Sequence, residues 1–214
     1  DFRRNKFVGR ELDGKTAGII GLGRIGSIVA SKLKGCGMHV ITYDPYVTDE
    51  RLKQLGIEKC ETLQELLQKA DVLTLHIPKT AENKGLIGEK ELSICKPGMV
   101  IVNVARGGII DEKALYNALK EGRVSAAAID VVEQEPNFNK KPEEQDYENA
   151  LLELDNVIYT PHLGASTNEA NFNVSYDVAR MIDKVLKGEM VAAVNMPPIK
   201  KTNMEEMRPY VDLA

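Results

Sequence analysis

Thr16-Ala-Gly-Ile-Ile20, Gly21-Leu-Gly23-Arg-Ile-Gly26 and His39-Val-Ile-Thr-Tyr43-Asp44 lie within one stretch, Lys15–Pro45, KTAGIIGLGRIGSIVASKLKGCGMHVITYDP. The first run is short and apolar, as a buried strand requires. The glycine pattern follows at once. A helical periodicity then begins near Arg24, with Ile25, Ile28, Val29 and Leu33 on one face, and a second apolar strand ends in Asp44. Strand, glycine turn, helix, strand and acid together form the context in which GxGxxG carries information; a lone GxGxxG is as readily a plain turn. Gly21 permits the tight turn, Gly23 lets the backbone approach a pyrophosphate, and Gly26 lets helix and strand pack closely. The unpaired N–H groups and positive dipole end of the helix attract phosphates. Asp44, 18 residues beyond Gly26, is placed to accept from a ribose 2′-OH and to repel a 2′-phosphate, so the pocket is expected to prefer NAD to NADP.

Working outward, 214 residues suffice for one sizeable domain or two small ones. With 43% hydrophobic and 28% charged residues, the composition is that of an ordinary globular protein. A net charge of −4 without a basic stripe argues against nucleic acid as a partner. No apolar run approaches the roughly 20 residues needed to span a membrane. Cys36, Cys60 and Cys95 are odd in number and lack ligand-like spacing. They read as reduced thiols of a cytoplasmic protein, and no metal site is expected. The chain starts at Asp1 without Met, so it reads as a piece of a longer protein.

The remaining elements alternate. Thr48 caps a helix that Gly56 ends, and Thr62 opens another with Glu65 three residues on. Asp71–Pro78 is a strand; Leu86–Leu92 has no clear pattern. Strands are expected at Met99–Val104, Ala126–Asp130 and Val157–Thr160, and a helix opens at Asp111 and stops at Gly122. Asn137–Asn149 reads as a charged loop, and Ser166 or Thr167 caps a long amphipathic helix ended by Gly188. This order predicts an α/β, Rossmann-type doubly wound parallel sheet. We expect residues 1–188 to be the NAD-binding domain and 189–214 a tail leading back to a substrate or regulatory domain. Ligands of such sheets bind beyond the carboxyl ends of the strands. Asp44, His76, Asn103 with Arg106, Asp130 with Glu135, and His162 all follow strands and should share one crevice.

The segments GLGRIG, LHIP, NVARGGIIDEKAL, AAAIDVVEQEP and TPHLGAST resemble, in order, the nucleotide domain of the D-isomer-specific 2-hydroxyacid dehydrogenases. The resemblance covers about Phe7 to Asn195. It is nearest the phosphoglycerate dehydrogenase branch, through the long helix after TPHLGAST and the tail AVNMPPI…RPYVDLA, which implies a role in serine biosynthesis. The family implies hydride transfer between NAD and a small 2-keto or 2-hydroxy acid, usually by a homodimer. Its catalytic Arg, Glu and His fall on Arg106, Glu135 and His162. Histidine suits the proton transfer because its unperturbed pKa is about 6.5. A neighbouring carboxylate orients the ring, and the planar guanidinium of Arg106 matches the substrate carboxylate or carbonyl. Against these stand an Arg106 that merely clamps an Asp, and a Glu135 that is a solvated loop charge with Glu133 as competitor. His76 is assigned to structure or cofactor lining.

The resemblance also implies the cofactor contacts. Gly21, Gly23, Gly26, Arg24 and Ile25 meet the pyrophosphate end, Asp44 the ribose, and Ile77 with Pro78 the adenine side. Val104, Ala105 and Arg106 line the nicotinamide half by backbone. Asp130 holds the carboxamide or is a buried hydrogen-bond acceptor, and His162 to Ala165, Gly164 included, closes the end. The family's N-terminal stretch of some hundred residues, most of its substrate domain, has no counterpart in this sequence, so the substrate domain is largely absent. One cleft wall is therefore missing, and the piece alone is expected to bind NAD without turning over. A different function stays open: some relatives are nicotinamide-sensing corepressors that retain the same triad.

Overall fold

A computed structural model describes residues 8–137, 139–141, 144, 147–189 and 191. Contacts divide the chain into Asp1–Gly164 and Ala165–Ala214. The first unit holds strands β1 (Thr16–Ile20), β2 (His39–Tyr43), β3 (Glu58–Lys59), β4 (Val72–Leu75), β5 (Met99–Asn103), β6 (Val124–Ile129) and β7 (Val157–Tyr159). Its helices are α1 (Arg24–Gly35), α2 (Asp49–Leu55), α3 (Leu63–Lys69), α4 (Glu89–Ile94) and α5 (Glu112–Lys120), with a 3-10 turn at Ala150–Glu153. The seven strands form one sheet in the order β3-β2-β1-β4-β5-β6-β7, every pair parallel. The doubly wound α/β class expected from the sequence is therefore the one observed. The chain winds outward from β1 in one direction and restarts at β4 in the other. The switch point lies between β1 and β4, where a crevice opens beyond the strand ends.

Alternation along the strands separates two cores. Ala17 and Ile19 of β1 pack with Ala30, Met38, Val40 and Leu52 on the α1–α2 face. Ile20 packs with Leu66, Leu73, Ile101 and Leu115 on the face of α3 and α5. Strands covered on both faces carry apolar residues on both, as here. The caps follow local chemistry. The hydroxyls of Thr48 and Thr62 accept the N–H groups of Arg51 and Glu65, and the Asp111 carboxylate accepts from Ala114. Glu65 reaches back one residue before the cap, to the Glu61 N–H at 2.9 Å.

Three features differ from expectation. The unpatterned stretch after Leu86 contains α4, β3 is a strand of two residues, and the 3-10 turn follows directly on the charged loop. None of these is long enough to show a period. The apolar face of α1 is only half covered: Ile25 and Ile28 are 66% and 59% exposed, whereas Gly26 and Ala30 are buried. The reason is close approach. A Cβ on Gly26 would overlap the Gly21 carbonyl, so the small residues of α1 meet β1 and the branched ones do not.

The second unit contains α6 (Asn168–Leu186), capped by the Thr167 hydroxyl, which accepts from the Ala170 N–H at 3.0 Å. Of the expected tail, residues 189 and 191 alone are described. No helix among the described residues is long and apolar enough to cross a membrane.

Candidate functional site

Beyond the Gly21 N–H, which donates to the Tyr43 carbonyl at 3.2 Å, the glycine loop is held at Leu22. Its N–H donates to Asp44 Oδ2 at 2.7 Å, its carbonyl accepts the Ser27 hydroxyl at 3.0 Å, and its side chain is buried. Gly21 has φ 88°, and a Cβ there would stand 2.8 Å from the His76 carbonyl. Gly23, the N-cap of α1, has open space where its Cβ would be. The turn thus presents bare backbone and the unpaired first-turn N–H groups of α1, as anion binding requires.

Beside it lies a cavity of about 570 Å³ lined by Gly21, Gly23, Asp44, Tyr46, Ile77 and Pro78, among others. Asp44 is half-buried there, and its Oδ1 accepts the Tyr46 N–H at 2.8 Å. A second cavity, about 360 Å³, is lined by Ile25, His76, Ile77, Pro78, Val104, Ala105 and Arg106. His76, Ile77 and Pro78 border both, so the two hollows flank the carboxyl end of β4. A dinucleotide fits this cradle: a carboxylate for a ribose at one end, glycines without side-chain bulk at the centre, and apolar walls on either side. The exposed Ile25 has its explanation here, as wall rather than core. His76 Nε2 lies 3.1 Å from the Thr74 hydroxyl, and burial holds its imidazole below the ordinary histidine value. It lines the cavity wall as a neutral ring.

The candidate catalytic groups follow three neighbouring strands. After β5, Asn103 folds over the turn: its Oδ1 accepts the Ala105 N–H and its Nδ2 donates to the Arg106 carbonyl. Arg106 is exposed, with Nη1 2.6 Å from the Ala105 carbonyl. It forms no ion pair with a carboxylate among the described residues, so the reading of Arg106 as a fold clamp finds no support. After β6 and β7, Glu135 Oε1 and His162 Nδ1 meet at 2.7 Å. Glu133 turns elsewhere, to Lys84 Nζ at 2.9 Å, and that ammonium holds its carboxyl below the usual glutamate value. Of the two glutamates, Glu135 is the one whose carboxylate reaches the His162 ring.

His162 sits at φ 50°, an uncommon left-handed backbone for a bulky residue. Asp130, 5% exposed, holds that turn. Its Oδ1 accepts the Thr160 hydroxyl and the Leu163 N–H, and its Oδ2 accepts the Gly164 N–H at 2.9 Å. Burial would raise the Asp130 carboxyl, but the Thr160, Gly164 and Leu163 donors outweigh it and leave the group below its ordinary 3.8. The buried-acceptor reading of Asp130 therefore describes what both its oxygens do here. Ala165 opens the second unit and is described with it. Sequence reasoning missed Leu22 as the loop's anchor and Thr160 as a partner of Asp130. It also missed Glu112, whose carboxylate accepts the Glu133 N–H at 2.5 Å. No local pattern marks any of them. The described residues contain no cluster of side chains suited to a metal ion.

Residues 1–164 match the family profile described as "D-isomer specific 2-hydroxyacid dehydrogenase, NAD binding domain". The whole chain is 47% identical to a D-3-phosphoglycerate dehydrogenase of Methanocaldococcus jannaschii and 48% identical to one of Archaeoglobus fulgidus, covering 39% of each. It thus spans about two-fifths of the length of these relatives. Among solved structures, D-lactate dehydrogenase with NAD+ from Lactobacillus jensenii superposes with a TM-score of 0.82 at 29% identity, over 92% of this chain and 60% of the other. The pyruvate reductase of Chlamydomonas reinhardtii gives 0.79 at 30% identity, over 90% and 60%.

Proposed function

The chain belongs to the D-isomer-specific 2-hydroxyacid dehydrogenases, and on that premise we propose that it is the cofactor-binding and proton-handling half of a D-3-phosphoglycerate dehydrogenase-like enzyme, acting in the cytoplasm as a homodimer. The carrying observation is the 2.7 Å contact between Glu135 and His162 on the strand-end edge that also carries the glycine loop. NAD is the family's cofactor, and Gly21, Gly23, Gly26 and Asp44 are the residues that would hold it, with Arg24 and Ile25 at the first turn of α1.

When bound, NADH supplies the hydride that reduces the carbonyl carbon of a 2-keto acid. The carbonyl oxygen then takes a proton, and His162 is the group that gives it. With Nδ1–H donating to Glu135, Nε2 is the nitrogen left to exchange that proton. Glu135 fixes the tautomer and ring orientation, and Asp130 fixes the backbone that carries the ring. Arg106 offers its guanidinium to the substrate carboxylate, an arrangement suited to planar bidentate recognition. In the oxidative direction the same nitrogen removes the hydroxyl proton.

His162 and Glu135 side chains are 37% and 34% exposed. A proton donor so open to water needs a cleft that closes before alignment and exclusion of solvent act. The test compares the full-length protein with the 214-residue chain, using NADH and 3-phosphohydroxypyruvate, hydroxypyruvate and pyruvate in turn. The full-length protein should prefer the phosphorylated substrate in kcat/KM. The chain should bind NADH yet turn over more than tenfold more slowly. Absence of turnover with every 2-keto acid refutes the enzyme reading, and equal rates refute the need for closure.

A further inference from the structure

Glu112 is the first residue of α5, next to its Asp111 cap. Its two carboxylate oxygens face two separate segments. Oε1 accepts the Glu133 backbone N–H at 2.5 Å, and Oε2 accepts an Asn149 Nδ2 hydrogen at 3.0 Å. Those partners bracket residues 134–148, the segment that carries Glu135 at its start. The far bracket is itself anchored. Asn149 Oδ1 accepts the Leu151 N–H at 2.9 Å and so begins the 3-10 turn, and its Nδ2 also reaches Tyr147 Oη at 3.2 Å. The near bracket is held from its other side by the Lys84–Glu133 ion pair. Just upstream, the Val132 carbonyl packs on Gly107, where any Cβ would overlap it.

We propose that Glu112 is a positioning residue for the Glu135–His162 pair, its carboxylate tying together the two ends of the 134–148 segment so that Glu135 is delivered to Nδ1 of His162. The inference rests on the reading of that pair as the proton-handling group. Glu112 touches neither the ring nor the cofactor cleft, and Glu133, through its backbone, is the link. A carboxylate suits the task because it accepts two charge-assisted bonds at once. A bracketed segment also keeps few alternative placements for a residue two positions from its fixed end.

The experiment is a double-mutant cycle in the full-length protein with E112A, E112Q, E135Q and E112A/E135Q. It reads kcat and KM for 2-keto acid reduction and the Kd for NADH by fluorescence. E112A should lower kcat about tenfold, a partial share of the roughly hundredfold that misplacement of a reacting group by an ångström can cost. KM and the NADH Kd should stay within about twofold, because nothing in the cofactor cradle touches Glu112. E112Q keeps an oxygen for the Glu133 N–H and should recover kcat to within about threefold of wild type. Because Glu112 acts through Glu135, E112A should add no further loss to E135Q, whereas independent effects would multiply. An E112A enzyme with wild-type kcat beside an impaired E135Q overturns this inference alone. So does a loss that multiplies in the double variant, or a parallel loss of NADH affinity. An E135Q enzyme with wild-type kcat overturns the underlying pair and the inference with it. Should E112A fail to accumulate, E112Q alone and in the E135Q background decides by the same comparison.

Discussion

Replacing Asp44 separates two jobs that one carboxylate performs. Its Oδ2 fastens the Leu22 N–H of the glycine loop at 2.7 Å, and it borders the cavity that suits an adenosine. A hydrogen bond to a charged group is worth roughly 1.5–3 kcal/mol. Asp44 is half-buried, so water recovers part of this and the lower end, about 1.5 kcal/mol, applies to each bond. Asp44→Ala loses the ribose acceptor, and it also frees the loop that the Leu22 bond holds ready before cofactor binds. If binding must then re-form the loop at up to the same ~1.5 kcal/mol, the two sum to at most about 3 kcal/mol, or up to roughly a hundredfold in NADH Kd. Asp44→Asn keeps an oxygen for Leu22 and should lose nearer tenfold. For NADPH the negative charge matters as well. A carboxylate and one phosphate charge about 5 Å apart repel by about 3 kcal/mol at an effective dielectric of 20, and by about 0.8 kcal/mol in bulk water. A half-buried site lies between these limits. Repulsion alone should therefore weaken NADPH by ~10-fold relative to NADH, and Asp44→Asn should remove most of that gap. Calorimetric titration of wild type and both variants with NADH and NADPH reads all six affinities. Wild type binding NADPH as tightly as NADH refutes the assignment. Indistinguishable Asn and Ala variants refute the anchoring of Leu22, and an unchanged NADH/NADPH ratio in Asp44→Asn shows that another group sets the choice.

His162→Ala in the full-length protein should lower kcat by roughly 10²–10⁴, the usual worth of a positioned general acid. NADH affinity should hardly change, and Glu135→Gln should cost less; turnover surviving within a few-fold means that the proton comes from elsewhere. Asp130 makes stability acid-sensitive. Its folded-state value lies below the ordinary 3.8, so its contribution is complete above the unfolded value of about 3.9 and is lost as pH falls through the folded value. Urea titrations from pH 6 to pH 2.5 should accordingly show wild type losing more stability than Asp130→Asn below about pH 4, and parallel curves would refute a charged Asp130 as the clamp of the His162 turn.

Much of the fold was legible because its signals are local. Periods of 2.0 and 3.6, the threonine and aspartate caps, and glycines at helix ends all fall within a dozen residues. The glycine turn and Asp44 were legible for the same reason, since one strand–helix–strand unit contains them. Glu135 and His162 were named by motif, but whether Glu133 or Glu135 meets the ring was not in the motif. That depends on the parallel register of β6 and β7, which places Ile129 beside Tyr159 and brings the two strand-end loops together. It depends too on Lys84 engaging the other glutamate.

The sequence by itself determined the order of the longer elements, the doubly wound class and the residue types at the strand ends. The close packing at Gly26 was legible in the glycine pattern. Tertiary structure decided that Ala30 beside it is buried while Ile25 and Ile28 are left exposed, because the Gly21 carbonyl leaves no room for a side chain at that approach. It decided that Asp44 serves the glycine loop across 22 residues, and that Glu112 spans 21 and 37 residues to bracket the Glu135 segment. The physical reason is the same throughout. A parallel sheet joins its strands only through long crossovers, so residues that follow different strands at its carboxyl edge are remote in sequence, and no short window along the chain contains both partners of a contact between them.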